Sequence, residues 1–100
     1  MPLDKDGNPV LYKPWPNTTK SRYKYYVYVN KDNKIRKIGF GDKTMQQFKD
    51  TLGYWKYLDH GDSTRRKAYL ARAKGIQNKQ GEFTWKDKNS ANWWSVHKLW

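Results

Sequence analysis

The chain has 100 residues, with 21 Lys and Arg against nine Asp and Glu and a formal net charge of +12. That length allows one domain, and that charge points to polyanionic partners: nucleic acid, an acidic protein surface or an anionic membrane face. The absence of cysteine excludes disulfides and the usual thiolate zinc sites; no apolar run approaches the ~20 residues of a membrane span.

A secreted domain of this size would often need disulfides, so the lack of cysteine points to a reducing, intracellular compartment; residues 1–16 have no apolar h-region and do not read as a signal peptide. Leu, Ile, Val and Phe are few, which with high net charge usually means disorder. Six Trp and eight Tyr argue the other way. Each large ring can bury roughly 150–250 Å² and so build a core that the aliphatics alone cannot.

Pro2, Pro9, Pro14 and Pro16 are the only prolines. Proline lacks an N–H and restricts the residue before it, and Asp6-Gly7-Asn8-Pro9 has turn composition. Residues 1–19 are therefore predicted as an extended proline-rich arm and residues 20–100 as the folded domain. Leu11, Tyr12 and Trp15 are the arm's anchors. Trp15 either packs back on its own domain or docks on a partner, and the prolines favour an arm that orders against a neighbouring subunit.

Residues 23–29 predict a strand, with Tyr23, Tyr25, Val27 and Val29 on one face and Lys24, Tyr26 and Tyr28 on the other. Residues 30–34 are turn-like, and residues 35–40 complete a β-hairpin. Gly39 and Gly41 bracket Phe40 and permit a bulge or a close backbone approach. Asp42 is placed to cap a short helix carrying Met45, Phe48 and Leu52 at i, i+3 and i+7, stopped by Gly53. Tyr54, Trp55, Tyr57 and Leu58 then lead into Asp59-His60-Gly61-Asp62.

Residues 63–74 predict a helix capped by Asp62 or Ser63, with Gly75 at its stop. Tyr69, Leu70 and Ala73 form its buried stripe with Arg66 in the middle, while Arg65, Lys67, Arg72 and Lys74 take the remaining arc. A turn at 78–81 and a short strand at 82–85 follow. A last helix starts at Asn89 or Ser90 with Trp93, Val96, His97 and Trp100 on one side; the alternative is a strand with Trp94, Val96 and Trp100 on one face. The whole is an α+β fold, a small hairpin or sheet packed by one or two helices.

Catalytic signals are weak. Asp59, His60 and Asp62 could mimic an acid–base or metal cluster, but the two carboxylates serve equally as acceptors for turn and cap donors. There is no Walker loop, nucleophile elbow or dinucleotide fingerprint. No enzyme activity, cofactor, metal or small-molecule substrate is expected. Lys24, Arg36, Lys37, Arg65, Lys67, Arg72 and Lys74 are the candidate residues for binding a polyanion or an acidic partner, with Lys20, Arg22 and Lys34 flanking. Exposed Tyr or Trp beside them would stack on unpaired bases. The plainer alternative is a solvated basic surface around an aromatic core. Arg66 reads as an internal fastener to Asp59 or Asp62.

Several short segments carry a resemblance in fixed order: Val27-Tyr28-Val29, Lys37-Ile38-Gly39-Phe40-Gly41-Asp42, Asp59-His60-Gly61-Asp62, Arg65-Arg66, Tyr69-Leu70-Ala71-Arg72, Ala91-Asn92-Trp93-Trp94-Ser95 and Leu99-Trp100. In these the chain resembles a family of short uncharacterised proteins of large eukaryotic double-stranded DNA viruses, with similar sequences in some phages. The resemblance spans about three quarters of the chain and excludes the arm. Many members have His after the helix arginine where this chain has Ala73, which weakens any catalytic or metal role there.

The resemblance implies a viral source. The leading expectation is a virion component of the minor capsid or capsid-associated type, seated between larger capsid proteins. It would reside in the host cytoplasm or assembly site before packaging. The alternative is a basic nucleic-acid-binding protein packaged with the genome or acting on it. A nuclease using Asp59, His60 and Asp62 is a distant third.

Overall fold

The computed structural model describes residues 2–100. Its centre is a hairpin of β2 (Tyr23–Lys31) and β3 (Lys34–Asp42), paired antiparallel from Tyr23↔Asp42 to Lys31↔Lys34. The two residues between the strands, Asp32 and Asn33, have φ of 54° and 61°. Two successive positive φ values define a tight hairpin turn whose twist suits the flanking strands, and Asp and Asn tolerate that region best after glycine. The ladder therefore runs further out than the aromatic pattern predicts.

A two-residue strand, β1 (Trp15–Pro16), pairs antiparallel with the other edge of β2 to give the sheet order β1-β2-β3. The N-terminal segment is accordingly folded back, not extended. The Val10 N–H donates to the Pro2 carbonyl and Leu3 bridges Pro9, closing a loop around the Asp4 carboxylate. Tyr12 donates its N–H to the Tyr28 carbonyl, and Asn17 donates to that of Lys24. Proline restricts the chain but leaves alternate N–H groups free to pair with an open sheet edge, and Trp15 uses that edge to reach Tyr28, with ring centroids 4.9 Å apart.

The predicted alternation holds from Tyr25 onward. Tyr25, Val27 and Val29 are buried in the core with Phe40, Trp94 and Leu99; Tyr26 and Tyr28 lie on the opposite face with Trp15. It breaks at Lys24. Lys24 and Tyr25 are both buried, and the Tyr23 ring sits 6.0 Å from that of Tyr26, away from the core. Gly39 makes room for this ring: a Cβ there would fall 2.3 Å from the Tyr23 Cγ.

Helix α1 (Ser63–Ala73) begins as predicted, the Asp62 carboxylate accepting from the N–H groups of Thr64 and Arg65. Helix α2 (Ala91–Lys98) starts at Ser90, whose hydroxyl accepts from the Trp93 N–H. Trp94 and Val96 are its buried residues, followed by Leu99 at its C-cap, so Trp94 and not the predicted Trp93 points into the core. The Trp94 ring stacks on Phe40, which stacks on Tyr25. With Val27, Val29 and Leu99 these rings form the core. The Trp100 ring, just past α2, lies flat on Tyr69 of α1 at 4.0 Å.

Two predicted elements are absent. Residues 43–55 are irregular, with only a 3-10 turn (Lys56–Leu58) after them, and Met45 and Leu52 are exposed. Polar side chains displace the predicted apolar stripe. Gln47 and Asp50 are wholly buried, and Asp50 accepts from the Tyr25 hydroxyl and from the N–H groups of Leu52 and Trp55. Residues 82–85 form a bridge, Gln77↔Phe83, and a 3-10 turn (Thr84–Lys86) in place of a strand.

Candidate polyanion-binding groove

The start of the hairpin, α1 and the end of α2 leave a groove of about 630 Å³ between them. Helix α1 contributes Arg65, Ala68, Tyr69 and Arg72, the i, i+3, i+4, i+7 set that shares one face. The hairpin contributes Arg22, Tyr23 and the run Gly39-Phe40-Gly41-Asp42; α2 and the residues after it contribute Asn92, Ser95, Leu99 and Trp100. The groove thus gathers residues from three stretches that are far apart in sequence, 39–42, 65–72 and 91–100.

Three guanidinium groups border the groove. Arg65 donates through Nη1 to the Gln46 Oε1 at 2.9 Å, and Arg22 lies 5.2 Å from the centroid of the Tyr23 ring. Arg72 stands beside Tyr69. Burial raises the phenol's pKa, and a hydrogen bond with Ser95 and the Arg72 charge work against that rise. Asp42 is the one carboxylate among the lining residues. It accepts from the N–H and hydroxyl of Thr44, and these bonds, helped by Arg22 and Lys24, hold it below the usual carboxylate range. Asp42 therefore stays ionised, and three guanidinium groups against one side-chain carboxylate leave the groove positive.

The sequence-predicted basic residues divide into three groups. Arg65 and Arg72 are exposed on α1 and share the groove. Lys67 and Lys74 lie on the other side of α1, lining a shallower depression with Arg66 and Leu70. Arg36 and Lys37 are exposed on the outer half of β3, clear of the groove. Lys37 rests its ammonium 4.6 Å from the Tyr26 ring centroid.

Lys24 is corrected as a contact residue. It is 1 % exposed, and its ammonium donates inward to the Met45 carbonyl and the Gln47 side-chain oxygen. Burial lowers its pKa, opposed by Asp50, Asp42 and Asp59. The cause is the break in strand alternation, which turns this lysine under the 43–55 segment.

The arm anchors are likewise engaged by their own domain. The Tyr12 hydroxyl donates to Asn89 Oδ1 at 2.7 Å, Trp15 packs on Tyr28, and Leu11 is half-buried. Arg66 is a fastener, but not to Asp59 or Asp62: its Nε donates to the main-chain oxygen of Trp100 at 2.7 Å, and the guanidinium lies 5.0 Å from the Phe48 ring centroid.

Asp59-His60-Gly61-Asp62 is consumed by folding. Asp59 accepts from the Gln47 amide and the Asp50 N–H, Asp62 caps α1, and His60 Nδ1 accepts from the Asp62 N–H. Among the described residues no group of three His, Cys, Asp or Glu is placed to hold a metal ion, and no helix is long and apolar enough to cross a membrane.

Arg22 is the groove residue that sequence reasoning ranked too low, as a flank of the hairpin. Its role depends on the irregular strand start, which no periodicity encodes. The sequence pattern sets Arg65 and Arg72 on one arc of α1 with Lys67 and Lys74, and Tyr69 in the buried stripe; the groove instead takes Arg65, Tyr69 and Arg72 together and leaves Lys67 and Lys74 on the other side. No protein-family model, no curated protein and no solved structure matches the chain.

Proposed function

We propose that this chain is a non-enzymatic binding protein that holds nucleic acid through the arginine groove. In the viral setting implied by the resemblance, it accompanies the genome in the virion. The observation that carries this reading is the convergence of Arg22, Arg65 and Arg72 on one groove that they share with a single side-chain carboxylate, Asp42. Guanidinium forks match phosphate geometry, and three of them at one depression offer more than a diffuse basic surface. The folded-back N-terminus removes the arm from the argument for a seat between capsid subunits.

A second reading, a capsid-associated protein bound to a larger subunit, is favoured by a different feature. Met45 and Tyr54 of the irregular segment and Tyr57 of the 3-10 turn after it are 59 %, 53 % and 75 % exposed, and such aromatic and Met side chains are enriched at protein interfaces.

Titrating the purified chain with labelled DNA over a salt series tests the first reading. Binding should weaken steeply with salt, and Arg65→Ala with Arg72→Ala should flatten the slope by roughly 0.9 for each duplex phosphate that is no longer neutralised. Absence of binding at low salt overturns it and leaves the protein partner.

A further inference from the structure

Beyond the groove, the open face of the sheet is lined by aromatic rings that no helix covers. Trp15 and Tyr26 are directly paired across β1 and β2, with ring centroids 6.0 Å apart. Tyr23 stands 6.0 Å from Tyr26 on the other side. All three rings are half-buried, with their remaining area open to solvent. Gly39, the cross-strand partner of Tyr26, leaves a flat seat for Tyr23. Two cations lie over these rings: Arg22 over Tyr23, and Lys37 over Tyr26. The side chains named on this face include no carboxylate. The face is also continuous with the groove, because Arg22, Tyr23 and Gly39 line both.

From this juxtaposition we infer that the sheet face is a stacking platform for unpaired bases, and that the partner held in the groove is single-stranded nucleic acid. The inference rests on the nucleic-acid reading of the groove and adds the strand state of the ligand. Its chemistry follows from what the rings and cations can exchange. An exposed cation–π contact is weak, whereas a base on an aromatic ring is a stronger, sequence-tolerant contact. A base stacking on Tyr26 or Tyr23 displaces Lys37 or Arg22 from the ring face. The freed cation then meets the phosphate beside that base. In a duplex the bases are stacked on each other and cannot reach the rings, so duplex DNA gains only the charge contacts of the groove. Successive rings running from Tyr23 through Tyr26 to Trp15 give the strand a path out of the groove and along the sheet.

The test compares fluorescence anisotropy of a labelled 20-nucleotide oligodeoxythymidylate with that of a 20-base-pair duplex, at low salt, on the full chain. The expected result is binding of the single strand about tenfold or more tighter than the duplex, the order of one or two stacked bases. Tyr26→Leu should erase that preference, Tyr26→Phe should keep it because the ring remains, and Trp15→Phe should reduce the quenching of tryptophan fluorescence by the oligonucleotide. If Tyr26→Leu disturbs folding, seen as loss of the circular-dichroism spectrum, the solvent-exposed Lys37→Ala serves instead and should weaken single-strand binding more than duplex binding.

Equal affinity for both ligands, with no response to Tyr26→Leu or Lys37→Ala, overturns the platform and leaves the groove reading in place. No binding of either ligand overturns both.

Discussion

Asp50 gathers three donors on one buried carboxylate: the Tyr25 hydroxyl at 2.6 Å, the Trp55 N–H at 2.7 Å and the Leu52 N–H at 2.9 Å. A buried donor left without a partner costs roughly 1–3 kcal/mol. Asp50→Ala should therefore lower stability by about 3 kcal/mol or more, read as a shift in the urea midpoint; a loss under about 1 kcal/mol would show that water replaces the carboxylate. Lys24, a few ångströms away in the same network, makes the opposite point about function. With its ammonium turned inward to Met45 and Gln47, Lys24→Met should leave the salt slope of DNA binding unchanged, whatever it does to stability.

His60 is the residue whose charge state bears on folding near neutrality. Its Nε2 is shielded without a partner, and its ring lies against Phe48 and Trp100. Burial, and then the Arg65 charge, lower its pKa against the pull of Asp62 and Asp59. The unfolded chain, with a His pKa of about 6.5, then binds more protons than the folded one in the window below that value, so stability rises with pH there. The contribution is fully present above the unfolded value and is lost as pH falls through the folded pKa. Urea midpoints at pH 7.5 and 5.5 should show the drop, and His60→Gln should shrink it; an unchanged drop assigns the effect to other groups.

At the scale of elements, the N-terminal segment is the third strand of the sheet and not a free arm. Removing residues 1–17 takes away the β1 pairing, the Trp15 packing on Tyr28 and the buried Asn17 side chain. Asn17 binds Ser21 Oγ and the Tyr23 carbonyl, and so fixes the turn into β2. The truncated chain should lose several kcal/mol and much of its cooperativity, in line with ~3–5 kcal/mol for truncating one large buried ring. A deletion variant that melts like the parent would return the segment to the role of a docking arm.

The N-terminal segment also marks the boundary of what the residue pattern conveys. The hairpin, α1 and α2 were legible because each is written in local terms: alternation of β-branched and aromatic residues, Asp62 and Ser90 as caps, a stop at Gly75. The helix expected after Asp42 was not. Its Met45-Phe48-Leu52 spacing is helical, yet the buried residues are Gln47 and Asp50, which bond Lys24, Tyr25 and Asp59 across the fold. Local propensity gave way to a tertiary hydrogen-bond network. Trp15 was ambiguous for a related reason, since nothing local distinguishes a ring that packs on its own sheet from one that docks elsewhere.

For the molecule as a whole, the difficulty is that a +12 chain attracts any polyanion, so bare affinity for DNA does not identify a site. Arg65 and Arg72 were legible as basic residues of α1, but the sequence pattern set them on one arc with Lys67 and Lys74 and put Tyr69 in the buried stripe; their grouping with Tyr69 at the groove, and the irregular start of β2 that brings Arg22 opposite, were not. Dimensions supply the discriminating experiment. The molecule extends 45 × 35 × 20 Å, while charges at about 0.1 M salt are screened over ~10 Å. Two triple variants that remove the same charge should therefore behave differently. Arg22, Arg65 and Arg72 changed to Gln empties the groove of its guanidinium groups. Lys5, Lys31 and Lys79 changed to Gln removes three exposed charges that do not line it. At about 0.1 M salt the groove variant should lose most of the affinity and about two to three units of the log–log salt slope, near 0.7–0.9 per phosphate neutralised. The matched variant should lose little of either. Equal losses from the two would mean that the global field alone draws the polyanion, and the groove would have no claim to the binding.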